Sequence, residues 1–285
     1  MKIHDLFYVL RSIWQDESNR GQRLRHLFFF CGWQFWKRII GTPIYANLFN
    51  GFRIRVYPDC DNSPSALYYS IPNGRPIAFL RSHLDGGTFL DVGANVGLVT
   101  LLVADKVQHA LLFEPNPAAV ERARENLHSN ALKFEVFAKA LSDKVGSVDF
   151  ESVGLVSSCN RTVDGFTSSL PTISVQRTTF DQFLREHPVA PPILAVKIDV
   201  EGHENAVLRG MKEFLRNHRP RLVMFEYLQR TNIRDILALF EAVGYSVFEL
   251  SATGPKTATD QVAPLQDLFA CPTELADQFG FSGDT

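Results

Sequence analysis

Four strongly apolar stretches of this chain each end in a carboxylate: Thr88-Phe89-Leu90-Asp91, Leu111-Leu112-Phe113-Glu114, Ile193-Leu194-Ala195-Val196-Lys197-Ile198-Asp199 and Leu222-Val223-Met224-Phe225-Glu226. A short continuous apolar run marks a strand covered by helices on both faces, and in such sheets ligands bind beyond the carboxyl ends of the strands. The four acids are therefore expected along one rim. The first run leads directly into the glycine-rich turn Asp91-Val92-Gly93-Ala94-Asn95-Val96-Gly97. Glycines there let the backbone approach a ligand before a helix begins near Leu98, which points to a nucleoside-like cofactor.

The rest of the chain supports an α/β fold. Strands at 88–92, 110–114 and 133–139 alternate with helices at 97–104 and 117–129, the second opened by Asn116 as N-cap and Pro117 at its first position. The alternation resumes with strands at 193–199, 221–226 and 245–250, helices at 203–217 and 231–243, and a last strand near 267–271. Right-handed crossovers then give a seven-stranded, mostly parallel sheet. Residues 144–180 are polar and rich in Ser and Thr, including Ser157-Ser158-Cys159-Asn160 and Thr167-Ser168-Ser169, and read as an inserted hairpin region able to cover the site. Ser168 and Ser169 lack the Gly-x-Ser-x-Gly elbow of a nucleophile and are given a loop role.

Before this domain (85–285), residues 1–50 read as a helical extension whose two helices are separated by Asp16-Glu17-Ser18-Asn19-Arg20-Gly21. Residues 51–84 form a lead-in, with Asn50-Gly51 as a hairpin turn, a half-exposed strand to Tyr57 and a short helix from Pro76. The segment Leu27-Phe28-Phe29-Phe30-Cys31-Gly32-Trp33-Gln34-Phe35-Trp36 is too short to cross a bilayer, which takes about 20 apolar residues. It can cover the core, or, flanked by Arg20, Arg23, Arg25, Lys37 and Arg38, lie on an anionic membrane surface or dock a partner.

Composition excludes several classes. A net charge of -2 without a long basic block argues against nucleic acid as a partner. The four cysteines, Cys31, Cys60, Cys159 and Cys271, form no C-x-x-C pair, so neither zinc site nor disulfide framework is encoded locally and a cytoplasmic location is expected. Leu6 to Leu10 is too short for a signal-peptide core. Oligomeric state is not legible.

Three cofactor classes use a glycine-rich strand-to-helix turn. A P-loop requires Lys and Ser/Thr after its last glycine, but Leu98-Val99-Thr100 follow Gly97; a dinucleotide site requires G-x-G-x-x-G, and the turn has two glycines at another spacing. S-adenosylmethionine, a cation with an amino acid in place of a pyrophosphate, suits an acidic rim. Asp91 could orient the turn and hold the ammonium group, and Glu114, about 20 residues on, stands where an acid bonds ribose hydroxyls.

The same motifs, with Phe113-Glu114-Pro115-Asn116-Pro117, Ala140-Leu141-Ser142-Asp143, Lys197-Ile198-Asp199-Val200-Glu201-Gly202-His203-Glu204, Leu208-Arg209-Gly210 and Arg219-Pro220-Arg221 to Glu226, resemble the FkbM-type methyltransferase family over roughly residues 85–250. The resemblance implies a class I, Rossmann-like fold, S-adenosylmethionine as cofactor and methyl transfer to a hydroxyl of a sugar, polysaccharide or other natural product. It places the cofactor at Asp91, Gly93, Ala94, Asn95, Gly97, Glu114 and Asn116, with Ala140, Leu141, Ser142 and Asp143 near the adenine. The N-terminal extension is outside the family core.

Lys197, Asp199 and Glu201 alternate with Ile198 and Val200, so an extended chain directs them to one face. Charges there belong at the exposed end of the strand or in a polar network. A hydroxyl loses its proton as it is methylated, which makes His203, or failing it Asp199, the expected base, with Glu201 and Glu226 orienting the acceptor. Asp199, His203 and Glu226 could alternatively hold Mg²⁺, although many rim carboxylates bind no metal, and none is assigned. Two rivals are an NAD-dependent oxidoreductase or epimerase, for which the fingerprint is missing, and a catalytically silent scaffold in glycan assembly.

Overall fold

A computed structural model describes residues 3–151, 162–163 and 168–281. Ser157, Ser158, Cys159, Asn160 and Thr167 lie outside the described residues. The N-terminal extension begins with helices α1 (Ile3–Gln15) and α2 (Arg23–Ile39). It is docked by two buried polar side chains. Asn19 donates to the carbonyls of Ile13 (3.0 Å) and Tyr68 (2.9 Å) and accepts from the Ser70 N–H (2.8 Å), while the ring nitrogens of His26 meet the Leu67 carbonyl and the Ser70 hydroxyl, both at 2.9 Å. Trp33, at the same inner face of α2, packs into a core cluster with Ile54, Val56 and Ile77.

Strand β1 (Ile44–Asn47) pairs with β2 (Arg53–Val56) in an antiparallel hairpin turned by Gly51 at φ 87°. β1 thus lies inside the 1–50 segment read as helical; with four residues it is too short to carry a periodic signal. Helices α3 (Ser65–Tyr68) and α4 (Gly74–Ser82) lead to the main domain.

The main domain runs β3 (Thr88–Val92), α5 (Leu98–Val103), β4 (His109–Phe113), α6 (Pro117–His128), β5 (Phe134–Phe137), then the insertion strands β6 (Ala140–Leu141), β7 (Gly146–Glu151), β8 (Thr162–Val163) and β9 (Thr172–Thr178). It continues with α7 (Phe180–Glu186), β10 (Ile193–Ile198), α8 (Glu204–Arg209), α9 (Lys212–His218), β11 (Leu222–Tyr227), α10 (Ile233–Ala242), β12 (Tyr245–Ser251), β13 (Gly254–Thr257) and β14 (Gln266–Pro272). The main sheet has the order β13-β12-β14-β11-β10-β3-β4-β5. The strands from β11 to β5 are parallel to their neighbours, and β14 runs antiparallel between β11 and β12.

This is the expected Rossmann-like α/β sheet, with eight strands rather than seven. The extra strand, β13, is the return arm of an edge hairpin from β12, and Gly254-Pro255-Lys256-Thr257 offers no apolar run to announce it. The continuous apolar runs are explained by two-sided cover. Leu90, Val92, Val196, Ile198, Val223 and Phe225 pack on one side against Val207, Phe214 and Phe240, while Phe89, Ala195, Leu222 and Met224 pack on the other against Leu80 and Val103. Each such Leu, Ile or Phe contributes about 1.5–3 kcal/mol of burial.

Helix 203–217 is instead two helices. A Cβ on Gly210 would stand 1.9 Å from the Ser142 carbonyl oxygen, so the chain breaks stride where it crosses that loop. The 144–180 insertion contributes β7, β8 and β9 to a separate four-stranded sheet, β6-β9-β7-β8, whose long arms β7 and β9 are antiparallel.

Candidate functional site

The turn after β3 is held by backbone bonds from Gly93 and Ala94 to the Phe113 carbonyl, 2.9 and 3.2 Å. Gly93 (φ 75°), Asn95 (φ 50°) and Gly97 (φ 78°) are all left-handed. A Cβ on Gly93 would lie 1.9 Å from the Asp199 carbonyl oxygen, so the end of β10, as much as any ligand, demands glycine there. At Gly97 the nearest atom is 3.6 Å away, leaving only the backbone angle to favour glycine.

Glu114, at the end of β4, is buried. One oxygen accepts the Asn95 N–H and the other the Asn116 N–H, both at 2.8 Å. Burial pushes its pKa up to about 7, against the two N–H bonds that favour the carboxylate. Each oxygen retains a lone pair at the cleft wall, the arrangement that receives a pair of vicinal hydroxyls. Asn116 also caps α6 through the Ala118 N–H at 3.0 Å.

Lys197 is the buried hub. Its ammonium group donates to the Gly93 carbonyl at 2.8 Å and lies 3.4 Å from an oxygen of Asp91 and 3.4 Å from one of Asp199. Burial opposes its charge, but the two carboxylates outweigh it and hold the pKa above the usual lysine value. Asp91 takes a second bond from the Thr100 hydroxyl at 2.7 Å. It is fully buried behind the turn and is not on the cleft wall, so its carboxylate fixes the turn and Lys197 where it had been expected to meet an ammonium group.

Beyond β10 the chain does not remain extended: Glu201 is left-handed at φ 56°. The predicted alternation therefore fails at its third member, yet Glu201 rejoins the others because the turn carries it back. Carboxylate oxygens of Asp199, Glu201 and Glu226 lie within 4.8 Å of one another. This trio contains Glu201 where the sequence had placed His203 beside Asp199 and Glu226 as donors to a hard cation. Burial and then the Asp199 charge push the pKa of Glu226 up to about 9, and the same two causes lift Glu201 to about 7 against the pull of Arg230, which pairs with it at 2.8 Å. Asp267 on β14 is raised to about 6 by burial, although Asn73 donates to it at 2.8 Å.

His203 stands at the N-cap position before α8, with Nε2 3.0 Å from the Ser142 hydroxyl. Asp143 pairs with Arg209 at 2.9 Å, and burial and that pairing oppose each other with a net lowering of its pKa. Glu204 is fully buried and accepts the N–H groups of Val200 and Gly202, so it shapes the loop rather than the site.

One cleft gathers Gly93, Asn95, Glu114, Asn116, Ala140, Leu141, Asp199, Glu201 and His203. Asp91, Ala94, Gly97, Ser142 and Asp143 are not among the residues that line it, and Glu226 belongs to an adjoining groove with Asn73, Arg75, Gln266 and Asp267. Asp199 is the residue on both walls. Sequence reasoning missed Lys197 as the hub, since its partners are on neighbouring strands, and also Phe150 and Thr162, which the insertion contributes to the cleft. The Thr162 hydroxyl is buried there with no hydrogen-bond partner among the described residues. A carboxylate for vicinal hydroxyls at one end, the apolar side chains of Phe113 and Leu141, and Asp199 and Glu201 at the other end fit a nucleoside bearing a positive charge.

A family model for the methyltransferase FkbM domain matches residues 91–247. Hexuronic acid methyltransferase AglP of Haloferax volcanii is 29% identical over 127 residues, 45% of this chain and 51% of that protein, so the chain aligns with about half the length of this curated relative. Among solved structures, methyltransferase FkbM of Methylobacillus flagellatus KT aligns with a TM-score of 0.45 at 13% identity, covering 94% of this chain and 59% of that one. The Pyrococcus abyssi tRNA (uracil-54, C5)-methyltransferase in complex with S-adenosyl-L-homocysteine aligns with a TM-score of 0.43 at 15% identity, over 81% of this chain and 44% of that one.

Proposed function

This chain belongs to the methyltransferase FkbM domain family, and from that premise we propose that it transfers a methyl group from S-adenosylmethionine to a hydroxyl of a sugar or sugar-containing natural product. The observation that carries the reading is the Glu114 carboxylate, fixed by two backbone N–H groups at one end of a cleft whose other end is lined by Asp199 and Glu201, with Glu226 close by in the adjoining groove. The cofactor would lie between Glu114 and Asp199, with Asn95, Asn116, Ala140 and Leu141 around the nucleoside, and supplies an activated methyl group on sulfur. Support for a sugar acceptor comes from the hexuronic acid methyltransferase to which part of the chain is similar.

Asp199 is the proposed base. It is 39% exposed, touches both the cofactor cleft and the adjoining groove, and is aligned by Lys197. The acceptor hydroxyl would enter from the groove and give its proton to Asp199 as its oxygen attacks the methyl carbon in line. Glu226 holds a proton at neutral pH and can orient a second hydroxyl. His203, on the cleft side with Nε2 toward Ser142, acts as a positioning residue for Ala140 to Asp143. The proposed setting is the cytoplasm; among the described residues Cys31, Cys60 and Cys271 are free thiols. Among the described residues, no helix is long and apolar enough to cross a membrane.

Calorimetric titration with S-adenosylmethionine and, separately, NAD tests the reading, with Glu114→Ala as control. Saturable S-adenosylmethionine binding, weakened roughly tenfold or more in the variant, is expected. Binding of NAD alone, or of neither, would overturn it. Binding without turnover on any sugar would favour a silent scaffold.

A further inference from the structure

Helix α2 is apolar on two opposite sides. Its inner side buries His26, Phe30 and Trp33. At 3.6 residues per turn, Leu24, Phe28, Phe35 and Ile39 form one stripe on the other side, and the structure leaves them 75%, 74%, 63% and 69% exposed. Covering the core therefore accounts for only part of the aromatic character of this helix. The exposed stripe continues across a groove to Tyr45 and Phe49 of the β1–β2 hairpin, which line it together with Phe28 and Gly32. A contiguous apolar surface of this kind on a protein exterior marks a contact site.

Charge identifies the occupant. Between Ser18 and Pro58 the sequence has seven Lys and Arg and no Asp or Glu, while the remainder carries twenty-two Lys and Arg against all thirty-one acids. Arg25 and Arg38 flank the stripe on its two sides. None of Arg20, Arg23, Arg25, Lys37 or Arg38 has an ion-pair partner among the described residues. A second copy of the chain would set basic rim against basic rim, and an apolar protein groove would leave the arginines without counter-charges. A bilayer with anionic headgroups satisfies both: the rings and aliphatic side chains enter the acyl boundary while the guanidinium groups stay at headgroup level.

We propose that the outer face of α2, with Leu24, Phe28, Phe35 and Ile39 between Arg25 and Arg38, seats the protein on an anionic membrane surface. The helix lies in the plane of the interface and does not span it. This is independent of which acceptor is methylated and would stand if the functional reading failed.

The full chain would be sedimented with phosphatidylcholine vesicles with and without phosphatidylserine, at low and high salt. Binding to the anionic vesicles alone, weakened by salt, is expected. Phe28→Ser/Phe35→Ser should lower partitioning roughly tenfold or more by removing apolar insertion. Arg25→Glu/Arg38→Glu should do the same by charge reversal, and this variant decides the matter if the first fails to fold. Failure to bind either vesicle, equal binding to both, or a wild-type dimer in sedimentation velocity that the serine variant disperses would overturn the proposal, the last by assigning the face to a second copy.

Discussion

The ammonium nitrogen of Lys197 donates to the carbonyl oxygen of Gly93 at 2.8 Å, so the charged residue near the end of one strand fixes the turn at the end of the next. The same group counters Asp91, which is fully buried, and reaches Asp199 at the cleft. Turn, buried acid and candidate base are thus positioned by one side chain.

Lys197→Met should therefore be far more damaging than its volume suggests. It leaves Asp91 charged, buried and opposed by nothing but the Thr100 hydroxyl, a loss of about 3–5 kcal/mol. Adding Asp91→Asn removes the stranded charge and should restore part of that stability. Urea unfolding of the two variants gives the comparison, and a double variant no more stable than the single one would show that the ion pair is not the cause.

The two turn glycines should differ. Gly93→Ala drives a Cβ against the Asp199 backbone in addition to its unfavourable φ, and should cost roughly 3 kcal/mol or more. Gly97→Ala meets nothing closer than 3.6 Å and should cost only about 1–2 kcal/mol, the penalty of the left-handed angle. Denaturant midpoints would rank them; equal losses would place the constraint in the backbone angle alone.

Cofactor affinity should depend on pH through Glu114. With its pKa raised to about 7, the carboxylate that accepts hydroxyls forms only as the pH rises through that value. Titration with S-adenosylmethionine is expected to be tighter at about pH 8 than at about pH 6, and Glu114→Gln should be weaker at both and lose the difference. Persistence of the pH step in the variant would assign it to another group.

Glu226 should make the fold less stable in alkali. Its pKa is about 9 in the folded chain against an ordinary value near 4.5, so the native state holds a proton that the unfolded state releases between those limits. Its contribution is complete below the lower value and declines as the pH climbs toward the upper one. Glu226→Gln, which mimics the protonated acid, should match wild type at about pH 5 and melt at higher temperature than wild type near pH 9. Parallel melting profiles for the two proteins would remove Glu226 as the source.

Turnover should separate Asp199 from His203. Asp199→Asn is expected to lower kcat by about 10²–10⁴, a larger loss than it causes in cofactor affinity, since a positioned base contributes that much. His203→Gln should reduce turnover less, and the cofactor should still bind. The opposite ranking would transfer the base role to His203.

The sheet was legible because strands covered on both faces leave unbroken apolar runs, and Glu114 because a fixed interval from the turn brings the next strand end beside it. Gly93 was legible as a turn glycine but not as the residue that Asp199 presses against, since that neighbour is more than a hundred positions away in sequence. Glu201 was assigned to the site on an alternation that the backbone abandons at that residue, and it arrives there by a left-handed turn instead. Asn73 and Asp267 meet only through the folded chain. The partition of α8 from α9 follows from the Ser142 carbonyl beside Gly210, a contact without local signature.

β14 is the last strand of the sheet in chain order, yet it fills the gap between β11 and β12. Until it has been synthesised and has left the ribosome, both neighbours show an unpaired edge carrying Val223, Phe225, Val247 and Phe248, all buried in the finished protein. A nascent chain in that state is a template for pairing with other strands, so the arrival of Gln266–Pro272 decides whether the sheet closes on itself or pairs with another chain.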